Sequence, residues 1–164
     1  MTPQISFEDE LSALLPRLRR FAHGLSRSTA DADDLTQMTI ERALRAKAQW
    51  QAGSRLDSWL YKIMRNLWID TVRSRGRKEQ VEAPAEDAAL AGHDPRDGIE
   101  AMIDVQRVMA AMDRLPGEQR EVIALILVEG FGYREAAELL GLPIGTVSSR
   151  LVRGRTALLA LLGE

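Results

Sequence analysis

The 164 residues contain no cysteine, and histidine occurs only twice, as His23 and His93. The first absence excludes a disulfide framework and any thiolate zinc site. The second leaves no histidine-rich ligand set, so no metal is expected. No apolar run approaches the roughly 18 residues needed to cross a bilayer. The N-terminus lacks a basic segment followed by an apolar stretch, so no secretory signal is visible and the expected location is the cytoplasm. Apolar and polar residues nowhere alternate as they do in a half-buried strand, and no glycine-rich phosphate loop follows a strand. Asp33 and Asp34 are neighbours on a helix start and point in different directions, and no Ser–His–Asp set has supporting spacing. Neither a catalytic residue nor a cofactor is expected.

What the chain does have is charge, sorted by position. The totals, 22 basic and 24 acidic side chains, give a net charge of −2. Residues 51–78 hold seven basic side chains (Arg55, Lys62, Arg65, Arg73, Arg75, Arg77, Lys78) against Asp57 and Asp70, a net of +5. Residues 79–113 hold nine acidic and two basic ones, a net of −7. After Glu138 every basic residue, Arg150, Arg153 and Arg155, falls in one short stretch. Phosphate is neutralised by local charge, so the acidic average does not argue against a nucleic-acid partner. A solvated helix face is the alternative reading of each basic block.

Apolar spacing predicts helices throughout. Leu11, Leu14, Leu15, Leu18, Phe21, Ala22 and Leu25 form one stripe, interrupted by Pro16, which either restarts or kinks the helix. A second helix runs to about Ala48, with Asp31 as its expected N-cap. A third carries Leu56, Trp59, Leu60, Ile63, Leu67 and Val72 and ends in the basic run Arg73–Lys78. Residues 79–98 are rich in Glu, Asp, Ala, Pro and Gly and read as a flexible acidic linker, spanning about 25 Å as a coil. Helices resume over 99–115, again with Pro116 at the first position of the next, over Tyr133–Leu140 and from Gly145 to Leu162, with a turn at 129–132. The expected fold is all-α, with small helical domains over 1–78 and 99–164.

The sharpest local signal is Tyr133-Arg-Glu-Ala-Ala-Glu-Leu-Leu-Gly141-Leu-Pro-Ile-Gly-Thr-Val-Ser-Ser-Arg150. Ala136 and Ala137 permit a close helix crossing, and Gly141 supplies the left-handed residue of a sharp turn. Thr146 is a candidate cap, and Val147 with Leu151 anchors the second helix. Ser148, Ser149, Val152, Arg153 and Arg155 are then left to face outward. This pattern is a helix-turn-helix, with short polar groups suited to base edges and arginines suited to phosphate or guanine. An ordinary αα-hairpin is the plainer alternative.

Three motifs together carry a resemblance. Gly145–Arg155 resembles the last helix of region 4 of bacterial sigma factors. Asp31-Ala-Asp-Asp-Leu-Thr-Gln37 resembles their region 2.2, and Trp59-Leu-Tyr-Lys-Ile-Met-Arg-Asn-Leu-Trp-Ile-Asp70 with the following arginines resembles regions 2.3 and 2.4. With these two domains alone, the chain resembles the extracytoplasmic function (ECF) group. The resemblance implies a non-catalytic specificity subunit that works with core RNA polymerase and promoter DNA under an anti-sigma factor. It implies contacts to the coiled coil and flap of the core polymerase, those to the coiled coil through Asp33, Asp34, Leu35, Gln37, Met38 and Arg42. It assigns the −10 element to Trp50, the loop 51–58, Lys62, Arg65, Asn66, Arg73, Arg75 and Arg77, and the −35 element to Ser148, Ser149, Arg150, Arg153 and Arg155. The family commonly has an acid where Met38 stands, and many relatives have Lys or Arg where Ser148 stands. Two other classes compete: a sigma-like decoy that titrates an anti-sigma factor, and an autonomous helix-turn-helix regulator.

Overall fold

The computed structural model describes residues 4–79 and 99–163, and all regular structure in them is helical. The first bundle has three helices. α1 (Phe7–Ser26) is capped by Ser6, whose hydroxyl accepts from the Asp9 N–H at 3.1 Å; Glu8, Asp9 and Glu10 favour its positive end. Pro16 does not divide it. Leu11 on one side of the proline and Leu18 on the other are both buried, so burial along one stripe outweighs the lost backbone bond.

α2 (Thr29–Arg45) departs from expectation at both ends. Its cap is Ser28, which accepts from the Asp31 N–H, while Asp31 lies inside the first turn and pairs with Arg75. It stops at Arg45, where the chain tightens into a 3-10 turn over Lys47–Gln49. α3 (Leu56–Glu79) completes the bundle around Leu18, Phe21, Leu35, Leu60 and Met64. Thr36 and Thr39 are buried without penalty, because their hydroxyls donate to the carbonyls of Ala32 and Leu35, each at 2.7 Å. The expected acidic linker lies, from residue 80 on, outside the described residues.

The second bundle contains α4 (Ile99–Asp113), α5 (Gly117–Ile123), α6 (Tyr133–Leu140) and α7 (Ile144–Leu162). Pro116 is the N-cap of α5 rather than its first helical residue. After Ile123 the helix widens into a π-helical stretch, Ala124–Val128, and the Glu129 N–H reaches back to the Ala124 carbonyl at 2.9 Å. Gly141, at φ 65°, makes the sharp turn between α6 and α7. Pro143 holds the N-cap position of α7, and Thr146 sits within the first turn and makes no side-chain cap. Val147 and Leu151 are buried as anchors, and Ala136 and Ala137 are buried where α6 crosses.

Gly154 is a packing residue that the sequence pattern did not mark. A Cβ there would stand 2.8 Å from Ile123 Cδ1 and 3.1 Å from Gln119 Cβ. Gly154→Ala is therefore expected to lower stability by about 1–3 kcal/mol through overpacking at the α5–α7 crossing. Urea unfolding with an unchanged slope checks this.

The two bundles touch. α1 lies against α5 and the π-helical stretch, and α3 lies against α6. The candidate site residues are therefore arranged on a closed body.

Candidate functional site

The helix-turn-helix presents one open face. Along α7, Gly145, Ser149, Val152, Arg153 and Arg155 are exposed, with Val152 at 64%. Val147 and Leu151 anchor the opposite side of the same helix. The Arg153 Nε donates to the Ser149 carbonyl at 3.3 Å, which leans its guanidinium along the helix. Ser148 is half-buried. Arg150 faces the α5 side, 3.4 Å from Glu118, so it braces α7 as well as bordering the face.

α2 presents a second face. Asp33, Asp34, Gln37, Met38 and Arg42 are exposed, Met38 at 41%, whereas Leu35 is 2% exposed and points into the bundle. Leu35 holds this row in place from beneath.

α3 and the end of α2 form a third feature. Arg42, Ala46, Gln49, Trp59, Ile63, Asn66, Leu67 and Asp70 line a shallow groove of about 180 Å³. Trp59 and Ile63 provide apolar walls. The amides of Gln49 and Asn66 and the Asp70 carboxylate offer donors and acceptors suited to the edge of an unstacked base. Lys62, Arg73 and Arg77 are exposed on the same helix. Arg75 is bound to Asp31, its Nη2 at 2.6 Å and Nη1 at 2.8 Å, and lies over the Trp68 ring at 5.7 Å. Trp50 is turned inward: its ring packs on Phe7 at 5.4 Å, and its indole N–H has no hydrogen-bond partner among the described residues.

Sequence reasoning missed the densest polar cluster, which joins the bundles. Glu129 was read as part of a turn, yet its side chain is 1% exposed. It accepts from Arg20 Nε at 2.7 Å and Nη2 at 3.0 Å, from Arg17 Nε at 3.1 Å and from the Tyr61 hydroxyl at 2.8 Å. The π-helical turn aims it there. Arg65, a candidate DNA contact, donates through Nε to Glu121 at 2.6 Å. Arg55, in the candidate loop, is bound by Asp57 and by Glu135 of α6, and lies 4.8 Å over the Phe131 ring. Arg120 is buried and donates to the carbonyls of Gly24, Leu25 and Leu115, and Arg27 donates back to Leu115 at 2.7 Å.

These contacts set opposing acid responses. Burial pushes the Glu129 carboxyl up, but the hydrogen bonds from Arg20, Tyr61 and Arg17 outweigh it and hold the group below its ordinary value. Burial likewise opposes, and Arg55 and the Ser58 N–H override, at Asp57, which is also held low. Their stabilisation is complete above the ordinary carboxyl range and drains away as the pH falls through the depressed values. Glu121 runs the other way: burial raises it against the pull of Arg65, so its contribution is whole at low pH and is lost as the pH rises through the raised value. Urea unfolding across pH is expected to show stability falling on the acid side as Glu129 and Asp57 are protonated and declining again as the pH rises through the raised Glu121 value, with Glu129→Gln flattening the acid limb.

The family profiles agree with this layout. Sigma-70 region 2 matches residues 11–78, and Sigma-70, region 4 matches residues 105–158. The chain is 40% identical over 157 residues to the ECF RNA polymerase sigma factor EcfG of Rhodopseudomonas palustris (strain TIE-1), covering 96% of this chain and 85% of that protein. Among solved structures it resembles the sigma factor RpoE in complex with the anti-sigma factor NepR from Bartonella quintana. That match has a TM-score of 0.86 and 38% identity and covers 96% of each chain. It also resembles CnrH in complex with the cytosolic domain of CnrY, with a TM-score of 0.64 and 26% identity, over 95% of this chain and 89% of that one.

Proposed function

The chain belongs to the ECF group of sigma-70-type sigma factors, and on that premise we propose how its three faces divide the work of promoter recognition. The exposed α7 face reads the −35 element through Ser149, Val152, Arg153 and Arg155, with Ser148 and Arg150 at its border. The groove at Asn66 and Trp59 receives an unstacked base of the −10 element, and Lys62, Arg65, Arg73, Arg75 and Arg77 hold the strand. The α2 row, Asp33, Asp34, Gln37, Met38 and Arg42 over the anchor Leu35, docks on the coiled coil of core RNA polymerase. Residues 1–78 and 99–164 act as separate domains joined by 79–98. The chain supplies no catalytic group of its own; phosphodiester chemistry belongs to the polymerase, and the work is done in the cytoplasm.

One observation carries this reading. A helix-turn-helix with an open basic face and a base-sized groove beside a basic helix stand on one chain, within the spans that match Sigma-70, region 4 and Sigma-70 region 2. Trp50 joins the −10 surface only when its ring leaves Phe7, so the groove is assigned to Trp59 and Asn66 first. RpoE with NepR and CnrH with CnrY were each solved as complexes, and by analogy an anti-sigma factor is the proposed regulator here.

A mobility-shift assay with promoter DNA tests the division of work. Specific binding is expected with core polymerase present and not with the chain alone. Asn66→Ala is expected to lower open-complex formation by about tenfold, the worth of one lost base contact. Specific binding by the free chain contradicts the reading and favours an autonomous regulator.

A further inference from the structure

The groove on α3 contains a carboxylate with no partner in the fold. Residues 51–78 carry two acids among seven basic side chains. Asp57 is engaged, bound by Arg55 at 2.9 Å and by Arg17 at 3.4 Å. Asp70 is exposed and makes no hydrogen bond or ion pair among the described residues, although Arg73 stands one turn further along the same helix. An acid left open on a helix that faces phosphate weakens that helix's hold on the strand. Its position is specific. Trp59, Ile63, Asn66 and Asp70 recur at helical spacing on one stripe of α3, and all four line the groove of about 180 Å³ opposite Arg42 and Gln49. The stripe changes character along its length. Half-buried Trp59 and Ile63 offer apolar surface to the face of a ring, and exposed Asn66 and Asp70 offer polar atoms to its edge.

We propose that Asp70 is a specificity-determining residue of this groove, which selects an unpaired base bearing an exocyclic amino group and rejects thymine. This rests on the reading above that the groove takes an unstacked base of the −10 element. A carboxylate accepts hydrogen bonds and donates none, so the base edge it meets must present an N–H. The amino groups of cytosine, adenine and guanine do so, and carboxylates accept from cytosine N4 in base readout. The Asn66 amide, one turn before Asp70, both donates and accepts, and it serves the ring atom beside that amine. Thymine carries a carbonyl oxygen where cytosine carries its amine, and an oxygen set against a carboxylate is repelled and left without a donor. The negative charge that costs phosphate affinity thus supplies discrimination.

Promoter templates with the non-template strand of the −10 element left unpaired test this, using the full chain with core polymerase. Each base of that strand is stripped of its amino group in turn: cytosine to uracil, adenine to purine, guanine to hypoxanthine. At one position stripping is expected to lower complex formation at least about tenfold. Asp70→Asn is expected to abolish that difference, since an amide can face a carbonyl as well as an amine. The variant is expected to unfold at the same urea concentration as the unmodified chain, because Asp70 has no partner to lose. Absence of a sensitive position overturns the proposal. So does a sensitivity that survives Asp70→Asn, with binding to all templates changed by one common factor; Asp70 is then a solvated surface acid. Abasic sites in the same strand separate this inference from the reading beneath it. If no abasic position weakens the complex, the groove takes no base and that reading fails. An abasic position that is damaging where amine removal is harmless overturns the amine selection alone.

Discussion

Replacing Arg120 by methionine is expected to lower the unfolding free energy by about 2–4 kcal/mol. The guanidinium fork donates to the Gly24, Leu25 and Leu115 carbonyls. The first two close the last turn of α1, where carbonyls have no partner within the helix. Methionine fills similar space but leaves those two buried acceptors without a donor; the Leu115 carbonyl keeps its bond from Arg27. Arg120 itself sits in a costly place. Burial first, and then the nearby Arg27, lower its pKa to about 10, which still leaves it charged at neutral pH. Arg120→Lys recovers part of the loss, since a single ammonium cannot span three carbonyls. Urea unfolding of the three chains checks the order, with methionine least stable.

Reversing both open arginines of α7, Arg153→Glu with Arg155→Glu, is expected to reduce promoter-specific initiation at least about 100-fold while core polymerase binding is kept. Arg153 and Arg155 lie on the exposed face and take no part in the junction between bundles. On the proposed role the reversal removes two phosphate partners and adds two repulsions without touching Val147 or Leu151. The milder Arg153→Ala/Arg155→Ala is expected to reduce the slope of log affinity against log salt by about 2, one unit per lost phosphate contact. Titration of promoter complexes at several salt concentrations reads both effects. An unchanged slope contradicts the assignment of this face to DNA.

Much of this was legible in the residues because it is local. The α7 face follows from Val147 and Leu151 at helical spacing and from the glycine turn before them. Caps were less legible: Ser28 and Asp31 compete within one turn, and the serine wins because Asp31 is drawn to Arg75, 44 positions away. Pro16 looked like a boundary, yet the buried stripe on both sides carries the helix through it. Glu129 was illegible. Nothing near it in the chain marks it as buried, and its arginine partners are 109 and 112 positions away. Gly154 was hidden for the same reason, since its neighbours Ile123 and Gln119 belong to another helix. The candidate faces are written in local periodicity; the junction that joins the bundles is written only in distant pairs.

The most direct measurement is run-off transcription of fragmented genomic DNA by core RNA polymerase with and without this chain, with the transcript 5′ ends sequenced. The account predicts discrete start sites that appear only with the chain and share paired −35 and −10 motifs, the −35 motif losing its influence in Arg153→Glu/Arg155→Glu. No new start sites, from a folded chain that binds core polymerase or an anti-sigma factor, would contradict it and bring the sigma-like decoy forward.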